Sequence, residues 1–173
     1  MSFDELLEEL AALELLLRSM RQRRDKLKKG ILEIYSFKTI ASPVDKNWEK
    51  RAIEEEKAFR AFKHSKYGDL LPHFLSLRRS TFNPQYFYTI YKDKTAELAI
   101  IKLPRLYPEL PPNSIISISK KLEIYTSHTQ PDKCLGYIVK NKWDESGKMG
   151  IAHWLLFVEI YLNLIKNPVK INK

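Results

Sequence analysis

Cysteine, glycine and long apolar runs are scarce in this sequence of 173 residues. Because Cys134 is the only cysteine, no intrachain disulfide can form, and a single reduced thiol is typical of cytoplasmic proteins. The 5 glycines and 9 prolines are too few for a collagen-like or low-complexity chain. No apolar run reaches the roughly 18 residues of a membrane span, and the acidic, leucine-rich start lacks the basic region of a signal peptide. We therefore expect a globular, cytoplasmic protein with no membrane partner.

The chain has enough apolar residues for a core and an excess of positive charge. Hydrophobic residues make up 44% of it, which suffices for one domain with an appendage. The net charge of +9 is unevenly distributed, since residues 1–17 hold five acids and no bases, whereas residues 18–29 hold seven bases and one acid. A basic stretch can bind phosphates, but it is more often a solvated face or a protein docking surface. Nucleic acid is therefore not the partner we expect.

A heptad-like apolar stripe marks the first part of the chain. Its residues alternate in spacings of four and three, apart from an interruption at Arg24: Leu6, Leu10, Leu13, Leu17, Met20, Leu27 and Ile31. This pattern predicts a helix over residues 3–33. We assign residues 1–40 to an N-terminal helical extension. The stripe is compatible with packing on the chain's own domain and with association, either with a partner or with a second copy.

Residues 41–173 read as an α+β domain with helices flanking an antiparallel sheet. The apolar pattern predicts a helix over about 46–65 and a largely buried helix that begins after Gly150 and closes the core. Between them, short β-rich runs predict a four-stranded meander: HFLSLRR, YFYTIY, ELAIIKL and SIISI. The segment from about 125 to 149 is expected to be irregular.

Several kinds of catalytic or cofactor site have no pattern in the sequence. The four histidines are spaced too irregularly, with a single cysteine, to predict a metal site. The sequence contains neither a glycine-rich phosphate loop nor a Gly-x-Ser-x-Gly elbow, so no cofactor is expected. His153 lies in the last predicted helix, and we interpret it as a core or helix-start histidine and not as a general base.

A proline-rich turn, a cysteine and a tryptophan follow the predicted meander in a distinctive order. The residues that carry this order are Tyr107, Pro108, Pro111, Pro112, Cys134, Leu135 and Trp143. Over residues 46–168 the chain resembles the ubiquitin-conjugating enzyme superfamily, in which a Tyr-Pro-x-x-Pro-Pro turn precedes a catalytic Cys-Leu and a tryptophan. Trp48, Gly150, Ala152 and His153 are similar to elements of the ubiquitin-fold-modifier conjugating enzymes and of bacterial conjugating-enzyme-like proteins. The resemblance implies a UBC-like fold.

The resemblance also implies an acyl transferase. Cys134 would carry a ubiquitin-like modifier as a thioester, with the modifier, an activating enzyme and a target protein as partners. The activating enzyme would dock on a basic face of the first domain helix, formed by Lys46, Lys50, Arg51 and Lys57. Bacterial relatives of this class act in modifier-conjugation operons, some of them in defence against phage.

The sequence departs from the family in the residues that precede the cysteine. The usual His-Pro-Asn triplet is absent, and three residues are candidates for the missing hydrogen-bond donor: His128, Gln130 and Asn141. Of these we assign His128 as the catalytic helper of Cys134, because a protonated imidazole can both favour the thiolate and donate a hydrogen bond. Lys133 is expected to act on the thiolate in the same direction. The alternative function is a non-catalytic interaction module of the RWD or conjugating-enzyme-variant kind.

Overall fold

The computed structural model describes residues 1–127, 133–139 and 142–166. The chain divides by its contacts into two units, Met1–Glu33 and Ile34–Lys173. The segment that follows Glu33 is part of the second unit and contacts other residues of that unit. Within it, Phe37 lies under the Arg51 guanidinium, 3.7 Å from its ring centre, and the backbone N–H of Thr39 donates to Glu54. Among the described residues, no helix is long and apolar enough to cross a membrane.

The first unit is a single helix, α1, which runs from Phe3 to Glu33 and confirms the helix predicted there. Its start is closed by a capping box. The backbone N–H of Glu5 donates to Ser2 Oγ at 3.2 Å, and the backbone N–H of Ser2 donates to Glu5 Oε2 at 2.5 Å. The reciprocal bonds satisfy two donors at the helix start, where backbone N–H groups have no partner within the helix.

The second unit contains a five-stranded antiparallel sheet in which each strand pairs with the next in the chain. The strands are β1 (Phe74–Arg79), β2 (Tyr86–Lys92), β3 (Ala96–Lys102), β4 (Ser114–Ser117) and β5 (Glu123–Tyr125). The predicted meander is confirmed, but the predicted number of four strands is wrong. Because β5 has only three residues, it is too short to show an alternating pattern in the sequence.

In the described part of the second unit, the α-helices are α2 (Trp48–His64), α3 (Gly136–Val139) and α4 (Ile151–Lys166), and a short 3-10 helix covers Gly68–Leu70. The structure is therefore α+β, as predicted, and α2 packs on both β1 and α4. The core side chains Phe59 and Phe62 of α2, Phe87 and Ile101 of the sheet, and Trp154 of α4 are buried. The predicted irregular segment contains α3, a single helical turn that precedes Trp143.

Candidate active site

Cys134 lies beside the last strand of the sheet. It forms an isolated parallel bridge with Tyr125 of β5, and the backbone N–H of Leu135 donates to the Tyr125 carbonyl at 2.8 Å. Leu135 is completely buried, so it anchors the backbone at this point, whereas Cys134 is partly exposed. The Cys134 sulfur accepts a hydrogen bond from the backbone N–H of Gly136 at 3.2 Å. The side chain that the sequence singled out is thus held at the sheet margin without being enclosed in the core.

The proline turn is held by Trp143. The indole Nε1–H of Trp143 donates to the Pro108 carbonyl at 2.9 Å, and its ring lies 6.3 Å from that of Tyr107. The peptide bond between Tyr107 and Pro108 is cis. Two residues that the sequence analysis connected only by their order, Pro108 and Trp143, are therefore in direct contact.

The cysteine segment and the proline turn meet at the same end of the sheet. Tyr125 pairs with Ser114 of β4 on one side and with Cys134 on the other. Because neighbouring strands lie about 4.8 Å apart, two such steps put Cys134 about 10 Å from Ser114. Thr126, which follows β5, also donates through its hydroxyl to the Pro112 carbonyl at 2.8 Å. The last proline of the turn thus lies beside the strand end on which the cysteine segment is held.

A buried ionic network lies behind the turn. The Arg51 guanidinium donates to Glu55 Oε1 at 2.7 Å and to the carbonyls of Gly147 and Met149 at 2.9 and 3.0 Å. The Tyr107 hydroxyl donates to the same Glu55 oxygen, and Glu55 Oε2 accepts the backbone N–H of Ile151 at 2.9 Å. One carboxylate therefore connects α2, the proline turn and the start of α4.

Burial and the neighbouring groups together set the protonation states of Tyr107 and Arg51. Burial and then the negative charge of Glu55 raise the pKa of Tyr107 well above its ordinary value, so the hydroxyl stays neutral and donates. Burial alone would lower the pKa of Arg51, but the adjacent Glu55 carboxylate and Tyr107 raise it, and the net direction is upward. Arg51 therefore remains charged inside the core and forms a buried ion pair with Glu55.

This network is not apparent in the sequence, from which Arg51 was predicted to lie on the docking face for an activating enzyme. That assignment is wrong, because Arg51 is completely buried. Lys46, Lys50 and Lys57 are exposed. A signal was available, because Arg51 and Glu55 have opposite charges, lie four residues apart and fall on the same helix face as Trp48.

Of the other residues singled out in the sequence, Lys133 and His153 have described positions, and the three candidate helpers of Cys134 do not. Lys133 forms an ion pair with Glu123 of β5 at 2.5 Å, so its ammonium group contacts the sheet. His153 is buried and its Nδ1 accepts the backbone N–H of Gly150 at 3.0 Å, which confirms the helix-start interpretation. The three candidate helpers lie outside the described residues: His128, Gln130 and Asn141. Within the described ranges, no group of three or more histidine, cysteine or acidic side chains could hold a metal ion.

No protein-family model, curated protein or solved structure matches the chain in comparisons with known proteins.

Proposed function

We propose that this chain is a divergent ubiquitin-like protein conjugating enzyme with a UBC-like fold, and that Cys134 carries the modifier as a thioester. The proposal rests on one observation, the partly exposed Cys134 on the strand end beside which the proline turn lies. A cysteine that only fills space is usually buried in the core. At this margin a sulfur can meet the extended C-terminus of another protein.

The contact between Trp143 and the proline turn supports the same reading. In the sequence, the resemblance depended on the order of the turn, the cysteine and the tryptophan. The hydrogen bond from Trp143 to Pro108 gives that order a physical reason, because it fixes the chain on both sides of the cysteine segment. Glu55 fixes the turn from behind through Tyr107. A rigid frame of this kind suits a site that must position two protein substrates.

The covalent bonds of both steps form and break at the Cys134 thiol. The Cys134 thiolate attacks the carbonyl carbon of the modifier's thioester on the activating enzyme, a new carbon–sulfur bond forms, and the activating enzyme's thiolate leaves. An amine, usually a lysine of the target, then attacks the same carbon; the carbon–nitrogen bond forms and the bond to Cys134 breaks. The amine proton passes to solvent and Cys134 leaves as thiolate. Sulfur suits both steps because it is a good nucleophile and a good leaving group.

The second step passes through a tetrahedral oxyanion, which needs a hydrogen-bond donor. We assign this role to His128, in place of the asparagine of the family's triplet. Removal of one oxyanion donor typically slows acyl transfer by about a hundred- to a thousandfold. His128→Ala should therefore slow discharge by about this factor, whereas Gln130→Ala and Asn141→Ala serve as matched controls and should discharge normally.

The test is an adduct on Cys134 in the cells from which the chain comes. Tagged protein is captured under denaturing conditions and run with and without a reducing agent. We expect a larger species that the reducing agent cleaves, a resistant oxyester for Cys134→Ser, and no adduct for Cys134→Ala. Absence of any adduct on Cys134 while the modifier is being conjugated in the same cells would refute the proposal.

A second candidate function is a non-catalytic interaction module, and the open face of the sheet favours it. On the face turned away from the core, apolar side chains form a cross-strand row in which Tyr88 pairs with Ile100 and Ile100 with Ile116. Nearby, Leu98 and Ile118 are exposed. This candidate predicts that Cys134→Ala leaves the chain's cellular function intact, whereas a charged residue at Ile100 abolishes it.

A further inference from the structure

Helix α1 presents an apolar stripe that it cannot bury by itself. The stripe residues from the first two-thirds of the helix are each 51–58% exposed: Leu6, Leu10, Leu13, Leu17 and Met20. Continuous exposed apolar surface of this kind favours association, because burial removes it from water. The spacing of four and three matches the seam along which two helices pack knobs into holes.

The stripe is symmetric about the midpoint between Arg18 and Ser19. Its spacings from Leu6 to Ile31 read the same in both directions when the polar position Arg24 is included. If two antiparallel helices cross at this midpoint, Leu6 faces Ile31 of the second copy and Leu17 faces Met20. Every layer then has a partner, and Arg24, the only polar position of the stripe, faces Leu13. A single polar residue in such a seam fixes the register at some cost in stability.

Charge distinguishes between the two possible orientations. Glu9 and Glu14 both flank the seam. In a parallel pair, Glu9 of each copy would lie beside Glu14 of the other, which gives two repulsive contacts. In the antiparallel pair, Glu14 of each copy lies beside Arg21 of the other, which gives two attractive contacts. The acidic first half of each helix also faces the basic second half of the other. Interactions of opposite sign at these positions set the orientation of coiled coils.

We infer that α1 is an interaction surface for a second copy of the same chain, with the two helices antiparallel. The inference is independent of the proposed conjugating activity, because it uses only residues of α1. It assigns the charge reversal within one helix a role in self-recognition, and it makes the apolar stripe a dimer seam.

The first experiment measures the mass of the full chain by sedimentation velocity. We expect a species of twice the 20.4 kDa chain mass. Leu13→Lys, in the seam, should give a monomer, whereas Leu15→Lys, a matched change on the opposite face of the helix, should remain a dimer. Circular dichroism of both variants checks that the helix is still formed. A wild-type chain that is monomeric up to about 100 μM would overturn the inference.

The second experiment tests the orientation. Glu14→Arg should weaken association roughly tenfold because it places like charges together twice, and adding Arg21→Glu should restore the affinity. Glu8→Arg makes the same change of charge away from the seam and should have little effect. Equal weakening by Glu8→Arg and Glu14→Arg would show that only net charge matters and would overturn the antiparallel pairing.

Crosslinking tests the orientation independently of charge. In a Cys134→Ser background, chains with Leu6→Cys and chains with Ile31→Cys are mixed and treated with a short bismaleimide. The antiparallel pair should crosslink Leu6→Cys chains to Ile31→Cys chains. Efficient crosslinking of Leu6→Cys chains to one another would instead demonstrate a parallel pair.

Discussion

Substitution of Glu55 by glutamine should strongly destabilise the second unit, and more than the same substitution at any other glutamate of α2. The two oxygens of the carboxylate accept three hydrogen bonds, from Arg51, Tyr107 and the backbone N–H of Ile151. Glutamine keeps the size of the side chain but has one oxygen and one NH₂ group. In either orientation of the amide, the NH₂ group therefore points at a donor.

The magnitude follows from the burial of the pair. Arg51 and Glu55 are both completely buried, and removing one partner of a buried ion pair typically costs about 3–5 kcal/mol. Since domains of this size are stable by about 5–15 kcal/mol, the loss is a large part of the whole. With a urea dependence of about 2 kcal/mol per molar, the unfolding midpoint should fall by about 2 M.

The assay is equilibrium unfolding in urea, followed by circular dichroism and tryptophan fluorescence. The matched control is Glu49→Gln, also in α2, where the lost ion pair with Arg79 is at the surface and the Glu49 side chain is 70% exposed. Surface pairs contribute about 0–1 kcal/mol, so this midpoint should hardly move. If the two variants lose stability equally, the buried network does not hold α2, the turn and α4 together as argued.

Three further predictions concern the turn and the division of the chain. Burial and Glu55 raise the pKa of Tyr107 in the folded state above its value of about 10 in the unfolded chain. The stabilisation by the Tyr107 hydroxyl should therefore be complete below about pH 10 and should be lost as the pH rises toward the pKa of the folded state. The urea midpoint of Tyr107→Phe should consequently fall less than that of the wild type over this alkaline range. Trp143→Phe removes the hydrogen-bond donor to Pro108 and should lower the free energy of unfolding by about 1 kcal/mol. Cys134 of the folded variant should also react faster with a maleimide, because the turn beside it loosens. An unchanged labelling rate would show that Trp143 does not influence the surroundings of Cys134. Deletion of residues 1–33 should leave a cooperative urea transition in the remaining chain, since the division by contacts falls at Glu33; loss of that transition would show that α1 is needed for the second unit to fold.

The predictions that succeeded concern segments with a clear local pattern. The stripe from Leu6 to Ile31 predicted α1 to its observed ends, and short runs rich in β-branched, aromatic and other apolar residues predicted β1 to β4. Strand β5 was missed because its three residues are too few to form a recognisable β-rich run. Periodicity is a property of neighbours in the chain, so the sequence alone can show it.

The candidate site depended on both kinds of information. The order of the proline turn, Cys134 and Trp143 is written in the sequence and suggested the chemistry. The bond from Trp143 to Pro108 joins residues 35 positions apart in the chain, and neither it nor the pairing of Cys134 with Tyr125 follows from a local pattern. The role of Arg51 shows the difference, since its charge predicted exposure and its partner Glu55 made burial possible.

The sequence by itself determined where α1, α2, α4 and strands β1 to β4 form, the charge reversal within α1, and the single thiol. Only the tertiary structure decided that Arg51 and Glu55 are buried together and that Cys134 is held at the sheet margin. The physical reason is that secondary structure follows from the local preference for burying one face, whereas a buried charge is stable only where several distant groups converge on it. Tyr107 and the start of α4 converge on Glu55 in this way, and folding alone brings them there.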